Sequence, residues 1–170
     1  PKPVPFKDIS GHWAEREIRD AFRDELLKGA SVERFAPDDV IQLADLRAAL
    51  EKLKVSPAAA SGALALEKGQ PTGARLAVLF GEMARATGKN LQWAKPEGDG
   101  PLAMATAIHL VGPGEATRFG TGPATRAQAA ALLARFRRNI LDAGPPATTP
   151  SELAFDDEFA GLELERRRLA

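Results

Sequence analysis

A helix-capping pattern that encloses a cation lies at Thr125, Arg126 and Gln128. A threonine followed three positions later by a glutamine forms a capping box, in which each side chain accepts a hydrogen bond from the other residue's backbone N–H. Such a cap stabilises a helix start by about 1 kcal/mol. Arg126 would then occupy the first helical position, beside free N–H groups and the positive end of the helix dipole. Its guanidinium would bind a carboxylate in a bidentate manner.

The loop before this pattern supports the same prediction. Gly122 ends a Gly-Thr-Gly sequence that would allow a ligand to approach the backbone closely. Helix N-termini also bind anions readily. We therefore predict an anion site formed by Arg126, Thr125, Gln128 and Gly122. The same residues also fit a well-capped helix whose arginine is merely solvated, and sequence mechanics alone favour that simpler interpretation.

Trp13 and Trp93 are the two tryptophans of the chain, and an exposed tryptophan could stack on a sugar ring. A tryptophan at a helix start more often packs into the core. We therefore expect Trp13 to lie beside Ile18 and Phe35, and we favour a core position for Trp93 as well.

The residues needed for enzymatic or metal chemistry are scarce. The chain has no cysteine and two histidines, which excludes thiolate ligands and a three-histidine zinc site. It has no Gly-x-Ser-x-Gly elbow, and the glycines between Gly112 and Gly122 lack the Lys-Ser/Thr of a phosphate loop. We predict no catalytic residue, no cofactor and no metal. His12 is interpreted as part of a helix start, His109 as a packed histidine, and the acidic residues 156–158 as a solvated turn.

Charge and hydropathy limit the partners. The 23 Lys and Arg residues balance 23 Asp and Glu residues, which argues against nucleic-acid binding. No run of eighteen apolar residues occurs, so we expect no membrane insertion. Residues 1–5 contain no apolar signal-peptide stretch, and we expect the signal of an exported form to have been removed.

Helices must position the candidate site, because the chain is rich in Ala, Leu, Glu and Arg and its Pro and Gly residues cluster between apolar-periodic segments. Asp8 or Ser10 is predicted to cap the first helix. Residues 57–69 are predicted to contain a short Ala-rich helix, 101–111 a helix, 112–123 a loop, and 143–150 a linker before a last amphipathic helix. The apolar positions of the four clearest helices are Ala14, Ile18, Ala21 and Phe22; Leu43, Leu46, Leu50 and Leu53; Leu76, Leu79, Phe80 and Met83, before Gly88; and Ala129, Leu132, Leu133, Phe136 and Ile140.

The segment from Phe6 to Ala14, FKDISGHWA, strongly resembles the opening of an S-layer homology repeat. Phe35-Ala36-Pro37 followed by Ile41 is similar to the central loop of that repeat. Thr125 to Gln128, TRAQ, is similar to the Thr-Arg-Ala-Glu signature that begins its second helix. The resemblance extends from Phe6 to about Leu141.

This resemblance implies an all-α fold in which three helix-loop-helix repeats pack with pseudo-threefold symmetry. It also implies a non-catalytic, extracellular module that attaches surface proteins to cell-wall polysaccharide, often a polysaccharide with pyruvate ketals. The expected boundaries are residues 1–56, 57–88 and 89–142 for the three repeats, the second one shortened, and 143–170 for a linker and C-terminal helix. Faint similarity around Phe155 suggests that this tail completes the assembly.

The aligned signatures depart from the family pattern. Leu43 stands at the arginine position of the first repeat, in QLAD, and Gly73 at that of the second, in TGAR. Arg75 lies about half a turn away and is a further ligand candidate. Because two of three signature arginines are absent, the alternative is a degenerate fold that acts as a structural or protein-interaction domain beside other surface-layer proteins. A third interpretation is an accessory module of a secreted hydrolase.

Overall fold

A computed structural model describes residues 3–55, 70–87, 91–98 and 100–142. Within these ranges the chain is helical and forms no strand, which confirms the predicted helical class. The predicted helix at 57–69, the linker at 143–150 and the C-terminal helix lie outside the described residues. The elements are α1 (Glu15–Arg23), α2 (Leu43–Lys52), α3 (Gly73–Ala86), α4 (Ala103–Ala107), a 3₁₀ turn (Ala116–Arg118), α5 (Arg126–Phe136) and a π-helical turn (Arg137–Leu141).

Helix α5 lies at the centre and packs against α1, α2 and α3. All of its residues except Gln128 are buried, whereas the sequence predicted a single apolar face. Five of its eleven residues are alanine, and these small side chains allow the neighbouring helices to approach on several sides. The α-helix that was predicted to extend through Ile140 ends at Phe136. The following turn is π-helical, and in it the Asp142 N–H bonds to the Arg137 carbonyl at 2.8 Å.

The start of α1 differs from the prediction. Its N-cap is Ala14, which offers no side-chain cap, so the assignment of Asp8 or Ser10 as the cap is wrong. His12 instead fixes the turn that leads into the helix, since its Nδ1 accepts a hydrogen bond from the Ala14 N–H at 3.1 Å. The Glu15 carboxylate also accepts from the Gly11 N–H at 3.0 Å. His12 therefore belongs to the helix start, as predicted.

Asp8 instead fixes the central loop. Its two carboxylate oxygens accept hydrogen bonds from the N–H groups of Phe35 at 2.9 Å and Ala36 at 2.8 Å. Burial alone would raise the pKa of Asp8, but these two bonds and the charge of Arg34 lower it below its usual value. Phe6, two residues before Asp8, packs edge-on against Phe22 and tilted against Phe35. The opening motif therefore holds the loop by hydrogen bonds and aromatic packing together.

Helices α1 and α4 end in the same way. A residue with positive φ follows each helix, Glu25 at 62° and His109 at 64°, and this conformation allows the chain to reverse. The next two N–H groups then bond to one carbonyl, that of Ala21 for α1 and that of Ala105 for α4. Helix α2 ends similarly, with Lys54 at φ 58° and the Val55 N–H bonded to the Leu50 carbonyl, so this ending is shared by three helices of the described chain. It also shortens the helix predicted at 101–111 to five residues.

Candidate ligand-binding junction

The starts of α2, α3 and α5 meet in one place, formed by residues 37–43, 71–74 and 120–127, which we call the junction. The Ile41 N–H bonds to the Ala124 carbonyl at 3.0 Å, and the Ala124 N–H bonds to the Pro71 carbonyl at 2.9 Å. Isolated antiparallel bridges join Val40 to Thr125 and Thr72 to Pro123. The extended segment before α5 is thereby paired with the segment before α2 and with the segment before α3.

The first N–H groups of α5 and α3 are bonded in matching patterns. Those of Arg126 and Ala127 donate to the carbonyls of Asp39 and Pro37, both at 2.8 Å. The equivalent groups of Gly73 and Ala74 donate to the carbonyls of Gly122 and Gly120, at 3.1 and 2.9 Å. The expectation of free N–H groups beside Arg126 is therefore wrong, because a neighbouring loop satisfies the donors that a helix start usually leaves open.

The predicted capping box is present. Thr125 Oγ1 accepts from the Gln128 N–H at 3.1 Å, and Gln128 Oε1 accepts from the Thr125 N–H at 2.8 Å. The Gln128 Nε2 also donates to the Arg118 carbonyl. In the matching cap of α3, Thr72 Oγ1 accepts from the Arg75 N–H at 3.0 Å. At the start of α5 and at the start of α3, the N–H groups of the first three helical residues thus all have partners inside the protein.

Gln128 also explains the residue at position 73. A Cβ built on Gly73 would lie 2.7 Å from Gln128 Oε1, closer than real Cβ atoms approach. The Gln128 amide is held by two hydrogen bonds, so it has little room to move away. Gly73 is therefore the residue that lets α3 start against the α5 cap, and an arginine side chain at this position would displace that cap.

Arg126 is buried and connects the third signature to the loop of the first. Its Nε donates to the Phe35 carbonyl at 2.9 Å, and its Nη2 donates to the Lys28 carbonyl. The guanidinium carbon lies 4.6 Å from the centre of the Phe35 ring, within cation–π range. Arg126 is a clasp between segments about 90 residues apart in sequence.

The Nη1 group of Arg126 forms a long ion pair with the carboxylate of Asp45. Asp45 Oδ2 lies 3.7 Å from it, and 52 % of the Asp45 side chain is exposed against 11 % for Arg126. Burial lowers the pKa of the Arg126 guanidinium, and the carboxylates of Asp45, Asp39 and Asp8 oppose this shift. An arginine remains protonated at neutral pH. Its positive charge is therefore already surrounded by acidic groups.

The remaining predicted ligand residues are less enclosed. Gly122 is exposed, and a Cβ built on it would meet nothing within 4 Å. Arg75 is half-buried in the first turn of α3. Leu43 is half-buried against the core. The structure brings Thr125, Arg126, Gln128 and Gly122 together at the junction.

Trp13 is half-buried and packs on the core, with its ring edge-on to Phe119 at 5.9 Å. The Arg118 guanidinium lies 5.3 Å from the indole centre. Beside it, His12 Nε2 contacts Asp38 Oδ1 at 3.1 Å. Because His12 Nδ1 accepts from the Ala14 N–H, the neutral ring carries its proton on Nε2 and donates to Asp38. Sequence analysis did not find Arg118 or Asp38, because no spacing links them to residues 12–13.

A buried ion cluster joins α5 to α1 and to the 3₁₀ turn. The Arg135 guanidinium contacts Glu17 at 3.3 Å and binds Glu115 with two hydrogen bonds of 2.6 and 3.0 Å. Its Nη1 also donates to the Leu110 carbonyl at 2.9 Å. Burial alone would raise the pKa of Glu115, but the bonds from Arg135 and from the Gly112 N–H lower it. The sequence signal that could have indicated this cluster is the charged Arg135 within the apolar α5 segment.

His109 is exposed, so its prediction as a packed histidine is wrong. Its position in the left-handed turn after α4 directs the ring outward, where it stacks on half-buried Trp93 with centroids 5.7 Å apart. In the described part of the chain no group of three or more His, Asp or Glu side chains is placed to hold a metal. No helix among the described residues is long and apolar enough to span a membrane.

The starts of α2, α3 and α5 are interlocked, and α1, α2 and α4 share the same left-handed ending. The family model of the S-layer homology domain matches residues 5–46, which include the opening motif, α1, the loop fixed by Asp8 and the start of α2. This match covers 42 of the 170 residues, so this part of the chain is similar to an S-layer homology domain. Such domains are non-catalytic modules that anchor proteins to cell-wall polymers at the bacterial surface. No curated protein and no solved structure matched the chain.

Proposed function

We propose that the chain anchors a bacterial surface protein to cell-wall polysaccharide through the junction around Arg126. The observation that carries this proposal is the S-layer homology match at residues 5–46. The loop within these residues is hydrogen-bonded to Arg126 of the third signature. We also propose three repeats, at 1–56, 57–88 and 89–142, in a pseudo-threefold arrangement. The matching helix starts and helix ends support this arrangement, and the role of residues 143–170 in completing it is part of the same proposal.

An acidic sugar substituent, such as a pyruvate ketal, is the proposed ligand group. Nε and Nη2 of Arg126 are bonded to carbonyls, so its Nη1 group would meet a ligand carboxylate. Exposed Gly122 leaves room for a sugar beside Thr125 and Gln128. Asp45, 3.7 Å from Nη1, is the competing anion. Binding by this route requires the ligand carboxylate to take the place of Asp45 or to share the cation with it.

Asp45→Asn tests this arrangement directly. The substitution removes the competing charge and leaves both carbonyl bonds of the clasp in place. We expect binding to pyruvylated wall polysaccharide to tighten about threefold to tenfold at low salt, corresponding to the energy of a partly exposed ion pair. Binding is measured by biolayer interferometry on the immobilised polymer and on the same polymer after mild acid has removed its ketals. The depyruvylated polymer should show no change between the native chain and Asp45→Asn.

Arg126→Ala is the complementary variant and needs a structural control. Its matched control is Asp8→Asn, which loosens the same loop while the cation remains. Binding that is lost in Arg126→Ala and retained in Asp8→Asn supports a direct ligand contact. Equal binding of both polymers by the native chain and by Asp45→Asn would contradict the acidic-ligand proposal.

A structural or protein-interaction role is the second candidate. The observations that favour it are the internal bonds of Arg126, together with Leu43 and Gly73 at the other two signature positions. A folded native chain that binds neither polymer but forms a complex with a surface-layer protein would support this role. Weaker binding at high salt would instead support the anionic polymer.

A further inference from the structure

A second concave surface lies away from the junction, where the segment before α4 meets the turn after it. It is a groove of about 840 Å³, within the size range of small-molecule sites. None of its lining residues belongs to the junction. The lining includes two aromatic rings, Trp93 and His109, and three polar side chains, Lys95, Glu97 and Thr106.

Two aromatic rings form a stepped floor in this groove. The Trp93 and His109 rings are nearly parallel, at 13°, with centroids 5.7 Å apart. For planes in contact at about 3.5 Å, this separation displaces one ring sideways by about 4.5 Å. Neither ring therefore covers the other completely, so each leaves part of a π-face uncovered by the other, at two levels about 3.5 Å apart. The apolar C–H face of a pyranose packs on such π-faces, whose electrostatic potential is negative.

The backbone fixes the position of the imidazole. His109 has φ 64° in the turn that ends α4, and its N–H donates to the Thr106 carbonyl at 3.1 Å. The His109 carbonyl accepts from Asn139 Nδ2 at 3.1 Å. Glu25 occupies the equivalent turn after α1, so the turn itself does not require an aromatic residue. The histidine adds a ring to a conformation that glycine adopts more easily.

The charges on the groove indicate the class of ligand. Lys95 and Glu97 contribute one charge of each sign, which gives no net attraction for an anion or a cation. Together with the exposed Thr106 hydroxyl they supply donors and acceptors for hydroxyl groups. A stepped aromatic floor with balanced polar groups suits a neutral sugar.

We propose that this groove binds a neutral sugar residue of the wall glycan, as a second contact besides the junction. The proposal rests on the anchoring function, since the same polymer would occupy both places. Two weak contacts on one polymer increase the overall affinity because the second contact forms at a high effective concentration.

Trp93 provides a local readout. The depyruvylated wall polysaccharide is titrated into the native chain and into Trp93→Phe, and the difference in tryptophan emission between them isolates Trp93. We expect a saturable change in this difference signal. His109→Gly removes the ring but suits the positive φ, so the chain remains folded, and we expect at least a fivefold increase in the half-saturating concentration. Glu25→Gly, at the equivalent turn of α1, is the matched control and should bind as the native chain does.

Co-sedimentation of the native chain with wall sacculi separates this proposal from the anchoring function. A chain that co-sediments, shows no Trp93 response and is unaffected by His109→Gly overturns the groove while anchoring stands. A Trp93 response without co-sedimentation supports the groove and overturns anchoring. The absence of both results overturns both proposals.

Discussion

At the scale of single residues, the polar residues of the opening motif and of the third signature are largely explained by their contacts within the protein. Asp8 bonds two N–H groups of the central loop, and His12 bonds the N–H of Ala14 at the start of α1. Arg126 binds the same loop from a position about 90 residues further along the chain. These residues hold the backbone in place through specific polar bonds, because the loop lacks a regular hydrogen-bond ladder of its own.

Asp8→Asn should destabilise the fold by about 1–2 kcal/mol at pH 7, because an amide offers one acceptor oxygen where the carboxylate offers two. The lowered pKa of Asp8 means that its stabilising contribution is complete above the unfolded value of about 3.9 and is lost as the pH falls through the folded value. Urea unfolding at pH 7 and below pH 4 measures both effects. A difference between native and variant that stays constant with pH would contradict this role.

Gly73→Ala should destabilise the chain by about 1–2 kcal/mol, although alanine normally favours a helix over glycine by about 1 kcal/mol. The added Cβ would displace the Gln128 amide from its bonds to Thr125 and Arg118. A double-mutant cycle with Gln128→Ala tests this cause, because the cost of alanine at position 73 should disappear in that background. If Gly73→Ala instead stabilised the native chain, the Gln128 amide would have to move aside at little cost, which would contradict this explanation of Gly73.

Sequence reasoning at this scale found the Thr125–Gln128 cap, because capping depends on residues three positions apart. It misassigned Asp8, whose partners lie 27 and 28 positions away. It also placed Arg126 beside free N–H groups, which neighbouring carbonyls occupy. The opening motif predicted the family whose model matches residues 5–46, while the tertiary contacts that explain its residues have no local sequence signal.

At the scale of elements, α5 is the helix on which the others are assembled. Apolar periodicity predicted α1, α2, α3 and α5 because each buries enough apolar side chains to produce a repeating pattern. It overextended α4, since the helix is ended by the left-handed conformation of His109, which a non-glycine sequence does not reveal. The polar bonds of Arg135 fix how α5 lies against α1 and the 3₁₀ turn.

Arg135→Met should destabilise the fold by about 3–5 kcal/mol, because it leaves the buried Glu17 and the half-buried Glu115 without their cation. The matched control is Arg138→Met, which removes the exposed 3.6 Å pair with Asp20 and should change stability by less than about 1 kcal/mol. Urea unfolding monitored by circular dichroism measures both variants. Equal effects of the two substitutions would show that the Arg135 cluster contributes no more than a surface pair.

At the scale of the whole molecule, the interlocked helix starts make the first and third signatures parts of one structural unit. The hydrogen bonds of Arg126 join the loop that precedes α2 to the start of α5. The close approach of Gly73 to Gln128 joins the start of α3 to the start of α5 as well. A polymer bound at the junction would therefore contact residues distant in sequence, so binding should require the folded chain.

Co-sedimentation of the native chain with purified sacculi, with the secondary polysaccharide retained or chemically removed, tests the anchoring function most directly. We predict that the chain sediments with the sacculi that retain the polysaccharide and remains in the supernatant with the stripped ones. A folded chain that stays in the supernatant with both preparations would contradict the proposed function.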